Sequence, residues 1–448
     1  MRVSIMLASM VLGLSLVRGQ GDSPLTPLTD SSAPKVATEN RIYISIGDPR
    51  LKKVLIAIEP TEGPSALAQE FQRTLVSNLE FTDYFEILPA TRMPGLKGDI
   101  TSYKAIGVEF LIVTKVVNTQ GQFEAEVRFF DVNRNLQILG RRYPLVGGAS
   151  QPGREMAHSV GNDVLQTLTG EPGIFRTRIL MSCGLKKKEI YMMDFDGQNI
   201  RPITQDKYFA LSPSWAPDGK RMLFTSYKPA VKGGFVNPNL YLYDTSTGQR
   251  RTISAARGLN TGGVFHPREN KIAYTFSREG RPEIYILDLN TNIRTPITKT
   301  VFFSVEPTWS PDGTRIAFSS SKTGRPHLWV SNIDGSNAKR LTYAGQYNSS
   351  PNWSPRGDRI VFSGQENLGN NFNIFLVDPS GSNLVRLTDD NRSSENPAFS
   401  PDGRFIVFSS NRDGQYRVYT MTASGTRIRE LSPRNLGPCK QPAWSPRL

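Results

Sequence analysis

The 448 residues, 38% of them apolar, are enough for two domains with substantial cores. Lys and Arg number 54 against 40 Asp and Glu, a formal charge of +14 at pH 7. No basic stripe interleaves with stacking aromatics, so nucleic acid is set aside as a partner. With two cysteines and three histidines the chain holds no Cys-x-x-Cys, His-Glu-x-x-His, Gly-x-Ser-x-Gly elbow or phosphate loop, and neither cofactor nor metal is expected.

Residues 1–19 open on a basic start, continue as an apolar run from Val3 to Val17 and leave through Val17-Arg18-Gly19. They read as a cleavable secretory signal, too short to serve as a bilayer anchor, so the protein is expected to be exported and not membrane-spanning. Its removal takes away two arginines and no acids, and the basic remainder suits anionic envelope surfaces or an acidic partner. Residues 20–39, with Pro24, Pro27 and Pro34 among Ser, Thr and Asp, form a flexible tether.

An α/β domain is predicted over 40–173. Arg41 to Ile46 and Lys53 to Ile58 read as strands. A helix begins at Pro64 with the stripe Leu67, Phe71, Leu75 and Leu79. Tyr84 to Leu88, Glu109 to Val117 and Gln122 to Val132 are further strands. A second helix after Pro152 carries Met156, Val160, Val164 and Leu168 before Gly170.

From 174 to 448 the sequence repeats. The motif Pro307-Thr308-Trp309-Ser310-Pro311-Asp312-Gly313 and its copies place aromatic anchors at Trp215, Phe265, Trp309, Trp353, Phe399 and Trp444, spaced 50, 44, 44, 46 and 45 residues apart. Each copy is a hairpin with a proline-led turn, Pro-Asp-Gly at Pro217, Pro311 and Pro401, followed by an aromatic strand and a strand ending Ile/Leu-Thr, which makes four strands per repeat. The first repeat (Arg178–Cys183, Ile190–Met193, Ile203-Thr204) lacks an anchor, and the last anchor lacks a repeat. The expected fold is therefore an α/β amino-terminal domain plus an all-β six-bladed propeller, closed by pairing of the terminal strand with the first propeller segment.

Aligning the closing pair on the Trp309 hairpin makes Cys183 equivalent to Ser320 and Cys439 to Ser304. These positions face each other across a turn centred on Pro311 and Asp312, which predicts a Cys183–Cys439 disulfide, with two free thiols as the alternative. His158, His266 and His327 read as structural, and Asp218, Asp312 and Asp402 as turn residues, since they recur at one turn position and do not converge on a point. The segments before the anchors, Tyr208 to Leu211, Leu259 to Gly262, Phe302 to Glu306, Tyr347 to Ser350 and Ser393 to Asn396, mix aromatics with small polar residues. They are expected to be loops that form a docking face at the channel mouth or, alternatively, to pack between blades.

The export signal, α/β domain, six anchors, Leu168-Thr169-Gly170 running on to Phe175-Arg176-Thr177-Arg178-Ile179, and the final Pro442-Ala443-Trp444-Ser445-Pro446-Arg447-Leu448 together resemble the TolB family of periplasmic propellers in the Gram-negative Tol-Pal system. The resemblance covers nearly the whole chain from about Arg41. It implies a non-enzymatic, monomeric periplasmic scaffold that supports outer-membrane integrity and cell division. Such a scaffold would bind a Pal-like lipoprotein at the channel mouth and a TolA-like inner-membrane protein through an amino-terminal segment. Glu306-Pro307-Thr308-Trp309 matches the lipoprotein-facing pattern, whereas Leu259 and Gly262 fall at contacting positions with different side chains. Asn260, Gly262, Val305, Glu306, Ser349 and Glu395 are the candidate residues on that face. Arg41, Ile42 and Ile44 are those of the amino-terminal segment, here preceded by about twenty extra residues. The alternative is a periplasmic propeller hydrolase or a ligand-binding or assembly propeller outside that system. No catalytic domain follows the ring to favour a lid of the prolyl-peptidase kind.

Overall fold

The computed structural model describes residues 53–447 except 95–97, 120–121, 146–150, 232–233, 235 and 279. The signal, the tether, the strand expected at Arg41 to Ile46 and the candidates Arg41, Ile42 and Ile44 lie outside the described residues. The chain divides into two compact units, Met1–Val160 with Thr167–Gly170, and Gly161–Gln166 with Glu171–Leu448.

In the first unit β1 (Val54–Ile58) is followed by α1 (Ser65–Phe81), β2 (Phe85–Ile87), α2 (Ile100–Ala105), β3 (Phe110–Thr119), β4 (Gln122–Asp131) and β5 (Leu136–Pro144), and α3 (Pro152–Thr169) begins within it. The sheet order is β2-β1-β3-β4-β5, with β1 parallel to β2 and β3 and the remaining pairs antiparallel. Pro64 presets the entry into α1 with φ −55, and the stripe Phe71, Leu75 and Leu79 is buried. Asn78 of α1 donates to the Ala157 carbonyl at 3.3 Å and meets His158 Nδ1 at 3.2 Å, so His158 is held in a helix-to-helix contact. Two elements escape the sequence reading. β5 carries Gly140, Arg141 and Arg142, which blunt an apolar alternation. α2 spans six residues, too few for a helical stripe, and starts on the Asp99 cap.

The second unit contains six four-stranded sheets. Blades 2 to 6 are consecutive in sequence, with innermost strands Ala210–Trp215, Asn260–Phe265, Ser304–Trp309, Tyr347–Trp353 and Ser394–Phe399. Blade 1 joins Cys439–Trp444 to Arg178–Cys183, Glu189–Asp194 and Arg201–Pro202, so it takes its innermost strand from the far end of the chain. Each innermost strand contacts the next around a closed ring. The anchors tie neighbouring blades: Trp309 Nε1 donates to the Val264 carbonyl and Trp215 Nε1 to the Ala443 carbonyl, both at 3.2 Å.

The Ile/Leu-Thr signal has a hydrogen-bonding cause. Thr204, Thr298, Thr342 and Thr388 each accept, through Oγ1, the backbone N–H of the third strand of the same blade at 2.9–3.0 Å, and Ser432 does so in blade 6. The turn aspartates act locally too. Asp312 Oδ1 accepts from Ser310 Oγ at 2.5 Å and from the Thr314 amide at 3.0 Å, which holds its carboxyl down to about 2. His266 is buried, accepting the Arg268 and Glu269 amides on Nδ1.

His327 is buried beside Asn348, and desolvation together with Arg340 and Arg325 pushes its imidazole down to about 4. Because the folded-state value is depressed, the unfolded chain takes up this proton first, and stability present above pH 6.5 is lost as pH falls toward 4. Thermal melts across that window are expected to show an acid-linked loss of up to about 3 kcal/mol that His327→Gln removes. An identical pH profile for the variant would show that another group causes it.

Candidate functional site

All six innermost strands break register at the same depth, between Leu211/Ser214, Thr261/Val264, Val305/Thr308, Ser349/Asn352, Glu395/Ala398 and Lys440/Ala443. Within each bulge one residue adopts a left-handed backbone, three positions before the anchor: Ser212 (φ 50), Gly262 (φ 62), Glu306 (φ 58), Ser350 (φ 50), Asn396 (φ 53) and Gln441 (φ 57). Only Gly262 is free of the Cβ penalty; the other five each carry strain of roughly 1–3 kcal/mol. Proline follows all of them except Gly262, and it removes a backbone donor that the interrupted ladder could not satisfy.

Since the innermost strands of a propeller line its central channel, these six residues form a ring there. Hydrogen bonds run from blade to blade along it. The Ser212 amide donates to Gln441 Oε1 at 2.9 Å, the Ser350 amide to Glu306 Oε2 at 2.6 Å, and Asn396 Nδ2 to Ser350 Oγ at 3.2 Å. Glu306 is the one carboxylate of the ring. Desolvation raises its pKa, against the lowering effect of the Ser350 amide and hydroxyl. By accessible surface the residue is only partly buried.

The expected loops run into strand at their ends nearest the anchors. Gly262, Val305, Glu306, Ser349 and Glu395 all lie within innermost strands, at or beside the bulges, because the inserted residue breaks the alternation by which a strand is recognised. Gly262, Val305, Glu306 and Ser349 are half-buried. Glu395 is engaged by Lys440 Nζ at 3.1 Å and by the Tyr416 hydroxyl. Asn260 is fully buried, its amide donating to the carbonyls of Pro238, Ala256 and Gly258, so it shapes the rim from beneath. Ser212, Ser350, Asn396 and Gln441 were not singled out from sequence. Their shared signal is the constant offset from the anchor, not a shared residue type.

The end of the propeller where these strands begin is also its more apolar end. Among the described residues, ten exposed large hydrophobics sit on its loops, including Tyr208, Phe209, Val301, Phe302, Phe303 and Tyr343, against five on the opposite end. A rim of exposed aromatics around a polar, hydrogen-bonded centre has the composition of a protein-binding face. Among the described residues no group of three or more His, Cys, Asp or Glu could hold a metal ion, and no helix is long and apolar enough to cross a membrane.

Comparison with known proteins matches residues 165–448 to the TolB beta propeller domain and residues 42–138 to the TolB amino-terminal domain. The Tol-Pal system protein TolB of Desulfosudis oleivorans is 36% identical over 254 residues, 53% of this chain and 56% of the relative. The TolB homolog of Chlorobium chlorochromatii is 34% identical over 301 residues, 56% of this chain and 68% of that protein. The chain thus spans little more than half the length of the first of these curated relatives. The crystal structure of TolB from Acinetobacter baumannii superposes with a TM-score of 0.75 at 25% identity, covering 88% of this chain and 97% of that one.

Proposed function

We propose, from the premise that this chain belongs to the TolB family, the propeller proteins of the Tol-Pal system, that it is a non-enzymatic periplasmic scaffold. In this reading the propeller, residues 174–448, receives a Pal-like lipoprotein on the channel-mouth face. The segment around Arg41, Ile42 and Ile44, ahead of the rest of the α/β domain of residues 40–173, engages a TolA-like inner-membrane protein. The pairing of the two contacts in one monomer would link outer-membrane integrity to cell division.

The observation that carries the lipoprotein contact is the ring of left-handed residues. Five strained non-glycine residues are held at one depth of the channel, and strain of this kind collects where a surface is preorganised for binding. Glu306 is its one acidic member, flanked by Val305 and facing Ser350 of the next blade, with Ser349 and Gly262 in the same rim. Glu395, paired with Lys440, and Asn260, buried below, support that rim.

A partner donor that reaches Glu306 would compensate its desolvated carboxylate. Glu306→Lys is therefore expected to weaken binding of a purified peptidoglycan-binding lipoprotein domain by about 2 kcal/mol or more, roughly thirtyfold in Kd, with the melting temperature nearly unchanged. Titration calorimetry beside a thermal melt reads both. Full binding by the variant, or its unfolding, would dismiss Glu306 as a contact.

A further inference from the structure

The third strand of each blade carries an aromatic and, two residues on, a side chain facing the same seam. In five blades that second residue is large and apolar: Met193, Tyr243, Leu287, Val377 and Met421, each paired with an apolar residue of the second strand. Leu287, Val377 and Met421 belong to the apolar clusters that fill their seams, and Tyr243 packs against its own. Blade 4 has Ser331 at this position, opposite Ile316. The cluster of the seam between blades 3 and 4 includes Trp329, Phe318 and Ile297 but has no contribution from position 331.

A cleft of about 440 Å³ runs along that seam, with Ser331 in its lining. Its apolar wall is Trp329, Phe318 and Ile297, and Lys299 and Lys322 line it with Ser331. Lys322 Nζ stands 5.0 Å from the centre of the Trp329 ring, and among the described residues no carboxylate pairs with either lysine. Asp334 also borders the cleft, with its carboxylate accepting from the Ser336 amide at 2.9 Å. The indole Nε1 of Trp329 and the hydroxyl of Ser331 are buried with no hydrogen-bond partner in the protein. Buried polar atoms of this kind are rare, and a large side chain at 331 would have excluded one of them.

We propose that this seam is a binding site for a small organic anion with a flat apolar body. Its charged group is drawn to Lys299 and Lys322, and its body lies against Trp329 and Phe318 in the space that Ser331 leaves open. The site is distinct from the ring at the channel mouth, because it belongs to a single seam and depends on a residue that the other blades replace with bulk, while its two lysines lie on loops at the same end of the propeller. Aromatic surface beside a cation and a few hydroxyls is the usual make-up of such pockets.

The test is titration of the mature chain with 8-anilinonaphthalene-1-sulfonate by calorimetry, alongside the variants Ser331→Leu and Lys322→Gln. One saturable site is expected. Ser331→Leu, which copies Leu287 of the neighbouring blade, should lose that site without a fall in melting temperature. Lys322→Gln should weaken it by at least about tenfold, the order of one charge contact in a partly desolvated site. Unchanged binding by a folded Ser331→Leu would overturn the proposal, as would the absence of saturable binding to the unaltered protein, which would mean a seam that holds water only. If Ser331→Leu fails to fold, Lys322→Gln decides: tenfold loss supports the site and equal affinity refutes it.

Discussion

A chain cut after Pro438 is expected to lose the folded propeller altogether, not merely to melt a little earlier. The removed strand Cys439–Trp444 is the inner edge of blade 1, and without it Arg178–Cys183 presents an unpaired row of backbone groups to the channel. Trp444 is buried and donates through Nε1 to Thr177 Oγ1 at 2.8 Å, while the Arg178 amide and carbonyl both bond Ser445. Gln441 also bridges to Ser212 of blade 2, so three blades lose a neighbour's contacts at once. Loss of a buried tryptophan alone costs about 3–5 kcal/mol, and total stabilities are roughly 5–15 kcal/mol. Size-exclusion chromatography and a thermal melt of the truncated chain read the outcome. A monomer with the parent's melting midpoint would show that blade 1 does not need this strand.

Replacing both cysteines by serine is the second large effect. Cys183 and Cys439 stand directly opposite in the closing pair, with Sγ atoms 2.09 Å apart and both residues buried, and the bond spans 256 positions of sequence. A loop of that length restricts the unfolded chain strongly, for an upper figure of about 5 kcal/mol in the chain-entropy model and about 2–4 kcal/mol in usual practice. The double variant is expected to melt on the order of 10 °C lower, and the oxidised parent should move to the same midpoint on reduction. Thiol counting in denaturant without reductant gives the direct check. Two reactive thiols in protein recovered from the envelope, or a melting point indifferent to reductant, would rule out a covalent latch.

What the sequence carried best were features repeated six times. Trp309 and its five equivalents fixed blade number, and the Trp309 hairpin alone placed Cys183 opposite Cys439, because residues equally distant from a tight turn must meet. Single-copy features were harder to read. β5 hides behind Gly140, Arg141 and Arg142, and Asn260 looked like a surface residue because an amide gives no hint that three carbonyls below it need donors. The channel ring failed for another reason. Ser212, Glu306, Ser350, Asn396 and Gln441 share a backbone conformation but no chemistry, and a left-handed φ is written in sequence only where glycine occupies it, as at Gly262.

The split origin of blade 1 has a consequence for the time course of folding. Blades 2 to 6 can each assemble from a contiguous stretch as it emerges, whereas blade 1 has to wait, three strands deep, for a partner synthesised about 260 residues later. Until then Arg178–Cys183 is an open template on the newborn chain, and any β-strand nearby competes for it. Closure of the ring thus carries the largest loop-closure cost of the propeller's strand pairings, since the cost of joining ends so far apart must be met before the final contacts reward it.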